Sequence, residues 1–237
     1  RLTSGQGNNF KQNTGDFFHN LIIESLIRVN LTGYVDTLRI LNDLTILPRA
    51  GGTSGIEANN FKILVEGDWI NNAGTNALLA ETSKVIFIDP SVPQNVEGNT
   101  VFNDLTTGVY DNSVINFYGD NSVSNIMEAY TATNVYGNLY ANTVYSDNDF
   151  AVIKIYYGGN MEIDHFHQGA AVHALGGSLL VNDLAEDYVT GTYNVYNGLL
   201  DLGQVYSTDA SHDLYYANIR VYGGELRFSG GNGLSLW

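Results

Sequence analysis

A four-residue turn unit returns at near-constant intervals through the second half of this chain, and no other feature limits its possible folds as tightly. It reads Phe117-Tyr118-Gly119-Asp120, Val135-Tyr136-Gly137-Asn138, Tyr156-Tyr157-Gly158-Gly159, Ala174-Leu175-Gly176-Gly177, Val195-Tyr196-Asn197-Gly198 and Val221-Tyr222-Gly223-Gly224. Looser copies stand at Val65-Glu66-Gly67-Asp68 and Val96-Glu97-Gly98-Asn99. From Val96 onward the first residues of successive copies are 21, 18, 21, 18, 21 and 26 apart. Such a period belongs to stacked supersecondary repeats, each touching only its neighbours.

A second motif, an apolar residue followed by two polar residues and Leu, supports the same period. It occurs at Phe18-His19-Asn20-Leu21, Leu41-Asn42-Asp43-Leu44, Phe102-Asn103-Asp104-Leu105 and Val181-Asn182-Asp183-Leu184, with a weaker copy at Ser211-His212-Asp213-Leu214. The strong copies are spaced by 23, 61 and 79 residues, which reads as one, three and four rungs of about 20. Between turns the side chains alternate, as in Ile153-Lys154-Ile155-Tyr156, Ile219-Arg220-Val221-Tyr222 and Leu226-Arg227-Phe228, the pattern of short strands buried on one face. Helical patterns are nearly absent after Leu44, so parallel strands can be joined only by winding round a coil.

The expectation is therefore an all-β, right-handed parallel β-helix, or β-solenoid, with about 20 residues per rung. A polar, glycine-rich lead-in or cap at 1–16 precedes a single domain at 17–237. Eleven or 12 rungs would make a rod of roughly 55 Å at the usual strand spacing. Residues 17–31 suit either a first rung or an amphipathic capping helix, with the Ile and Val content favouring strand. Tyr118, Tyr136, Tyr196 and Tyr222, with Tyr157 if the units are aligned on their glycines, are expected to stack as an outer column broken at Leu175.

Composition narrows the partners. The chain carries 10 Lys plus Arg against 25 Asp plus Glu, a net charge of -15, so nucleic acid and anionic membranes would be repelled. At 44% hydrophobic it is too apolar for a disordered acidic tail. Its polar surface comes mainly from uncharged residues, with 28 Asn and 16 Tyr, a surface suited to an exported β protein. The absence of Cys removes disulfides, thiolate metal sites and cysteine nucleophiles. No run is long enough to span a membrane as a helix, and a start at Arg1 reads as a processed or excised segment.

One stretch goes beyond a generic solenoid. Gly67-Asp68-Trp69-Ile70-Asn71-Asn72-Ala73-Gly74, then Val85-Ile86-Phe87, Gln94-Asn95-Val96-Glu97-Gly98 and Phe102-Asn103-Asp104-Leu105 follow in order. This resembles the repeated blocks of large secreted and cell-surface parallel β-helix proteins of Bacteroidota and related bacteria, often exported by the type IX route. The match covers about 40 residues and departs at Ala73, where Gly is usual; a sorting domain does not lie within these residues. The resemblance implies export and a role in adhesion, surface coating or assembly, and implies no catalytic residues.

Candidate chemistry is sparse. His165 and His167, with Asp164 or His173, are of a type to share a zinc ion, although two alternating histidines also suit an ordinary polar strand face. Asp111-Asn112, Asp147-Asn148-Asp149 and Glu186-Asp187 are acidic turns that could take calcium, and solvated turns without it. A glycan-cleaving site needs clustered carboxylates with a base, and Arg220 and Arg227 read as outward strand residues that complete no such set. The tyrosine column with Trp69 and Trp237 could stack on sugar rings or simply brace the rungs. No catalytic, cofactor-binding or metal-ligating set is assigned, and no cofactor is expected, with calcium left open at the acidic turns. The reading is an extracellular or cell-surface structural or adhesive protein, not an enzyme, whose copies would stack head to tail into filaments if neither end is capped. The alternative is an exported carbohydrate-active or carbohydrate-binding β-helix.

Overall fold

The computed structural model describes residues 8–13, 15–33, 36–88, 92–109, 113–146, 151–167, 171–184, 188–205 and 213–229, with only the backbone described at 8, 11, 12, 183, 184, 188–191, 203–205 and 213–218. Among them one short 3-10 turn, Thr75–Ala77, is the single helical element. All other regular structure is strand, arranged in parallel sheets of four, ten and eleven strands. The chain is a β-solenoid of about 21 residues per turn, close to the expected 20.

Register gives the rung lengths directly. In the ten-stranded sheet the inward column runs Leu21, Leu44, Trp69, Val96, Phe117, Val135, Ile155, Ala174, Val195 and Val221. Successive members are 23, 25, 27, 21, 18, 20, 19, 21 and 26 residues apart, by subtraction of those numbers. The early rungs are longer than 20, so the coil is ten strands deep in this sheet rather than 11 or 12. Nine steps at about 4.8 Å give roughly 43 Å in place of 55 Å.

The extra length of the early rungs makes a third face. One such rung runs Leu44–Ile46, Ile56–Glu57 and Lys62–Val65, one strand in each of the three sheets. The four-stranded face ends at Leu78–Leu79, and the next two segments, Val101–Phe102 and Asp104–Thr107, pair with a single long strand, Asp120–Ala129. From there two faces are carried by one bent strand per rung. The bend shows as a lost beat in the alternation: Asn142 and Thr143, or Asp164 and His165, both face outward between buried neighbours.

This geometry corrects the reading of the second motif. Leu21 pairs with Leu44, so the copies at 18–21 and 41–44 share the corner before the ten-stranded sheet. Phe102 instead lies in line with Val123, Ala141, Ile163 and Val181, so the copies at 102–105 and 181–184 mark the bend of the long strands. The 61-residue spacing therefore joins two different corners, which share a sequence because each places two polar residues between apolar ones. Residues 17–31 are rungs, with strands at Leu21–Ile23 and Val29–Gly33 and no helix. Within 1–16, the strand Asn8–Gln12 pairs with Val29–Gly33 and so joins the coil.

The glycines hold the corner between the ten- and eleven-stranded sheets. The carbonyls of Gly119, Gly137, Gly159, Gly177 and Gly198 accept amides of the next rung from Asn138, Asn160, Ser178, Leu199 and Glu225, at 2.8–3.1 Å. These five glycines occupy one position, and the rungs approach closely there: a Cβ on Gly137 would lie 2.2 Å from the Gly119 carbonyl oxygen. Later copies insert residues before that glycine, at Tyr157-Gly158, Gly176, Asn197 and Gly223. Gly158, Gly176, Asn197 and Gly223 take φ of 83°, 87°, 55° and 84°, the left-handed region in which Gly and Asn cost least.

Inside, alternating side chains form one continuous core whose largest buried members include Trp69, Tyr193, Phe87, Phe102, Phe117 and Phe166. Full burial of each such aliphatic or Phe side chain stabilises by about 1.5–3 kcal/mol. Tyr193 is the exception in kind. It is fully buried, its hydroxyl has no hydrogen-bond partner among the described residues, and burial pushes its ionisation far above the ordinary phenol range.

Two outcomes follow from these positions. Gly137→Ala should destabilise by about 2 kcal/mol, because the added methyl forces two rungs apart, read as a fall in the urea midpoint. Tyr193→Phe should be neutral or stabilise by about 1 kcal/mol in the same measurement, since it removes a desolvated hydroxyl without a partner; a loss of stability would mean the hydroxyl is satisfied.

Candidate functional site

From Tyr118 onward the rungs of the ten-stranded sheet carry an outward aromatic residue just before the glycine corner, except at Leu175. Because each rung repeats the last, those rings meet face to face. Tyr118 and Tyr136 stack at 5.0 Å and 7°, Tyr136 and Tyr156 at 4.5 Å and 12°, and Tyr196 and Tyr222 at 4.8 Å and 6°. Leu175, in register with Tyr156 and Tyr196, breaks the column as expected. The member between Tyr136 and Leu175 is Tyr156, however, not Tyr157. Aligning on glycines misplaces it, because Tyr157-Gly158 is an insertion into the corner after the strand has ended. Each stacked pair adds about 0.5–1.5 kcal/mol beyond its buried area. Burial, followed by the neighbouring Tyr156, raises the Tyr136 pKa.

Polar side chains also pair along the coil. The Asn116 amide donates to Asn95 Oδ1 at 3.0 Å, and that of Asn134 donates to Asn116 Oδ1 at 2.8 Å. Asn95 reaches back to Asp68 through its backbone amide at 2.7 Å and its side chain at 3.2 Å. On the far side of the glycine corner, Asn138 donates to Asp120 at 2.6 Å, Asn160 to Asn138 at 2.9 Å and Ser178 to Asn160 at 2.5 Å. Lys84 spans two rungs to Glu128 at 2.7 Å, and Thr106 between them donates to the same carboxylate oxygen at 2.8 Å.

The histidine constellation does not converge. His165 and His167 flank the buried Phe166 on the strand Asn160–His167, in the eleven-stranded sheet. His173 lies on Ala171–Leu175 in the ten-stranded sheet, where burial and then the Lys154 ammonium lower its pKa. The His167 ring stacks on Tyr145 at 4.4 Å. Asp164 accepts from the Tyr140 hydroxyl and, at 2.9 Å, from the Asn182 amide. Among the described residues no three His, Asp or Glu side chains are grouped to hold a metal ion.

The acidic turns at 111–112, 147–149 and 186–187 lie outside the described residues, as does Trp237. Trp69 is not a surface platform. It is fully buried, packs edge-on against Phe102 at 5.2 Å, and donates through Nε1 to Thr100 Oγ1 at 3.1 Å. Arg220 and Arg227 are exposed, as the alternation indicates, and Arg227 pairs with Glu225 on its own strand at 2.6 Å.

Two surface grooves were not anticipated. A trough of about 390 Å³ opens over the later glycine corners, walled by Tyr157, Asn160, Ser178 and Asn197 above a floor of Gly159 and Gly177. A second, of about 310 Å³, lies on the eleven-stranded face between Asn138, Tyr140, Glu162 and Leu180. Asn160 and Ser178 line both, so the two grooves adjoin. The only sequence signal was a change of spacing: the corner unit is Tyr136-Gly137 in one rung and Tyr156-Tyr157-Gly158-Gly159 in the next.

Compared with known proteins, the chain matches no family model, no curated protein and no solved structure.

The Tyr140–Asp164 contact gives a pH signature. The Tyr140 hydrogen bond leads the causes that hold the Asp164 carboxyl below its usual range, so its contribution to stability is present above that range and is lost as pH falls through the folded value. The same hydrogen bond pushes Tyr140 from 10.0 up to about 12, so that contribution is full below pH 10 and is lost as pH rises toward 12. Tyr140→Phe should flatten both limbs of midpoint plotted against pH. The change at neutral pH should stay below about 1 kcal/mol, because solvent screens so exposed a pair.

Proposed function

We propose that this chain is a non-enzymatic structural or adhesive protein of the cell exterior, a rigid coil whose copies associate end to end. The observation that carries the reading is the lateral pairing of its outer side chains. Tyrosines stack on tyrosines and asparagines bond to asparagines of the next rung, which stiffens a rod and leaves few groups converging on a reaction centre. An acidic, cysteine-free chain rich in Asn and Tyr suits that setting. So does the resemblance of 67–105 to blocks of exported Bacteroidota β-helix proteins. Among the described residues no helix is long and apolar enough to cross a membrane.

Self-association follows the logic of the coil itself: every rung pairs its strands in parallel with those of the next, and a parallel strand left without such a partner recruits one from another chain. The carbohydrate-cleaving alternative needs free carboxylates across neighbouring rungs, whereas Glu162 and Asp164 already share the Asn182 amide.

The reading expects antibodies against the purified chain to label intact cells of the source organism, and protease treatment of those cells to remove the signal. Light scattering and electron microscopy of the concentrated chain should show elongated assemblies. Labelling only after permeabilisation would overturn the location, and a monomer at every concentration would overturn the assembly.

A further inference from the structure

We infer that the adjoining grooves around Asn160 and Ser178 form a binding site for a neutral saccharide chain, with the Tyr157 ring as its stacking platform. The inference deepens the adhesive reading by naming a ligand class, and it rests on that reading only for its biological setting.

Tyr157 is the most exposed large hydrophobic side chain described, at 89%; the next reach 53%. The tyrosines of the column use their faces on one another, whereas Tyr157 makes no ring contact with another aromatic among the described residues. Nor does the coil require it. The preceding rung turns the same corner with Gly137 alone, and the insertion of Tyr157-Gly158 places an aromatic ring outside the wall. The space around Gly158 is open, with no heavy atom within 4 Å of where a Cβ would stand. An apolar ring face held in water beside a polar trough is the arrangement that accepts the C–H face of a sugar ring.

The trough supplies the rest of such a site. Its glycine floor has no side chains to fill it, and Asn160, Ser178 and Asn197 stand along it. In the second groove Asn138 and Tyr140 continue the row. Equivalent side chains repeat at the strand spacing of about 4.8 Å, close to the length of one pyranose unit, so successive rungs can meet successive sugars.

Charge selects the class of sugar. The trough at the corner has no Asp, Glu, Lys, Arg or His among its lining residues, and the second groove adds only Glu162. Within a chain of net charge -15, uronates, sulfated glycans and phosphates meet repulsion and find no cation to grip them. A peptide would need apolar side-chain pockets or a free strand edge, and these grooves lie over paired strands in mid-coil. A hydroxyl-rich, uncharged chain is what remains.

The test is titration calorimetry of the purified chain against soluble xylan, galactomannan, mixed-linkage β-glucan and dextran as neutral probes, with polygalacturonate as the charged comparison. At least one neutral probe should bind and polygalacturonate should not. Tyr157→Ala should weaken that binding at least about tenfold, the loss of one aromatic platform, and Tyr157→Phe should preserve it. Circular dichroism should show both variants folded, since the side chain packs on almost nothing. Tyr118→Ala, in the stacked column, should leave binding unchanged. Failure of every neutral probe, equal binding by Tyr157→Ala, or tighter binding of polygalacturonate would overturn the proposal. None of these results touches the cell-labelling or assembly experiments, which stand or fall separately.

Discussion

In-register parallel stacking is the constraint on which everything else here depends. A residue's nearest partner is its own equivalent one rung away, at about 4.8 Å, so the same choice made repeatedly is either reinforced or penalised along the whole coil. Tyr and Asn are reinforced. A flat ring stacks on its copy, and an amide both donates and accepts, so Asn134 bonds to Asn116 and Asn116 to Asn95 without a charge between them. Carboxylates in a column would repel, and where they occur a partner interrupts: Asn95 meets Asp68, Asn138 meets Asp120, and Lys84 reaches across a rung to Glu128. The low charge content and the abundance of Asn are consequences of the fold.

The same constraint explains the motif that stands out near residue 70. Gln94 is buried and sends its amide to the carbonyls of Val65 and Gly67 at 3.0 and 2.9 Å. The Asn71 amide donates to the carbonyls of Gly74 and Asn99 at 3.0 and 2.7 Å and to Thr100 Oγ1 at 3.0 Å, while its oxygen accepts from Ala73 N at 3.0 Å. The Val65 and Gly74 carbonyls also accept the backbone amides of Ile88 and Ala77 at 3.0 and 2.9 Å, so these side chains add further donors at the corners and tie successive rungs together. Trp69 fills the wide early rung and spends its N–H on Thr100, so none of these polar residues is left to act on a ligand. Ala73 is accommodated because its position asks only for an amide donor to Asn71.

The period, the parallel coil and the broken tyrosine column were legible in the sequence because each is a repeated local event: a glycine where rungs nearly touch, an apolar residue at every second position. What the sequence concealed are events that keep the count but change the geometry. The third face of the early rungs looks in sequence like loop, since Ile56–Glu57 and Leu78–Leu79 are too short to alternate. The two corners that share an apolar-polar-polar-Leu pattern are alike to water but differ in the sheets they join. Tyr157 occupies a column position when glycines are matched and leaves it when backbone pairing is followed, because Gly158 is an added residue and the pairing glycine is Gly159. The split of His173 from His165 and His167 was hidden for the same reason, since six residues here are enough to pass from one sheet to another.

Departure from the repeat is therefore more informative about binding than the repeat itself. A side chain that follows the period is partnered by the rungs above and below, so a ring face, or part of its hydrogen-bonding capacity, is committed to the coil. An insertion escapes that arithmetic. It lies outside the ladder, is not covered by its neighbours, and is kept or lost without altering the register on either side, since Val135 still pairs with Ile155 and Ile155 with Ala174. In this chain the corner after Tyr156 carries the largest such excess next to the most exposed ring, over a floor of glycines that the coil already required for close approach. A groove that costs the scaffold nothing to form, with one aromatic residue added at its edge, is how a rod built from mutually satisfied side chains acquires a place to hold something else.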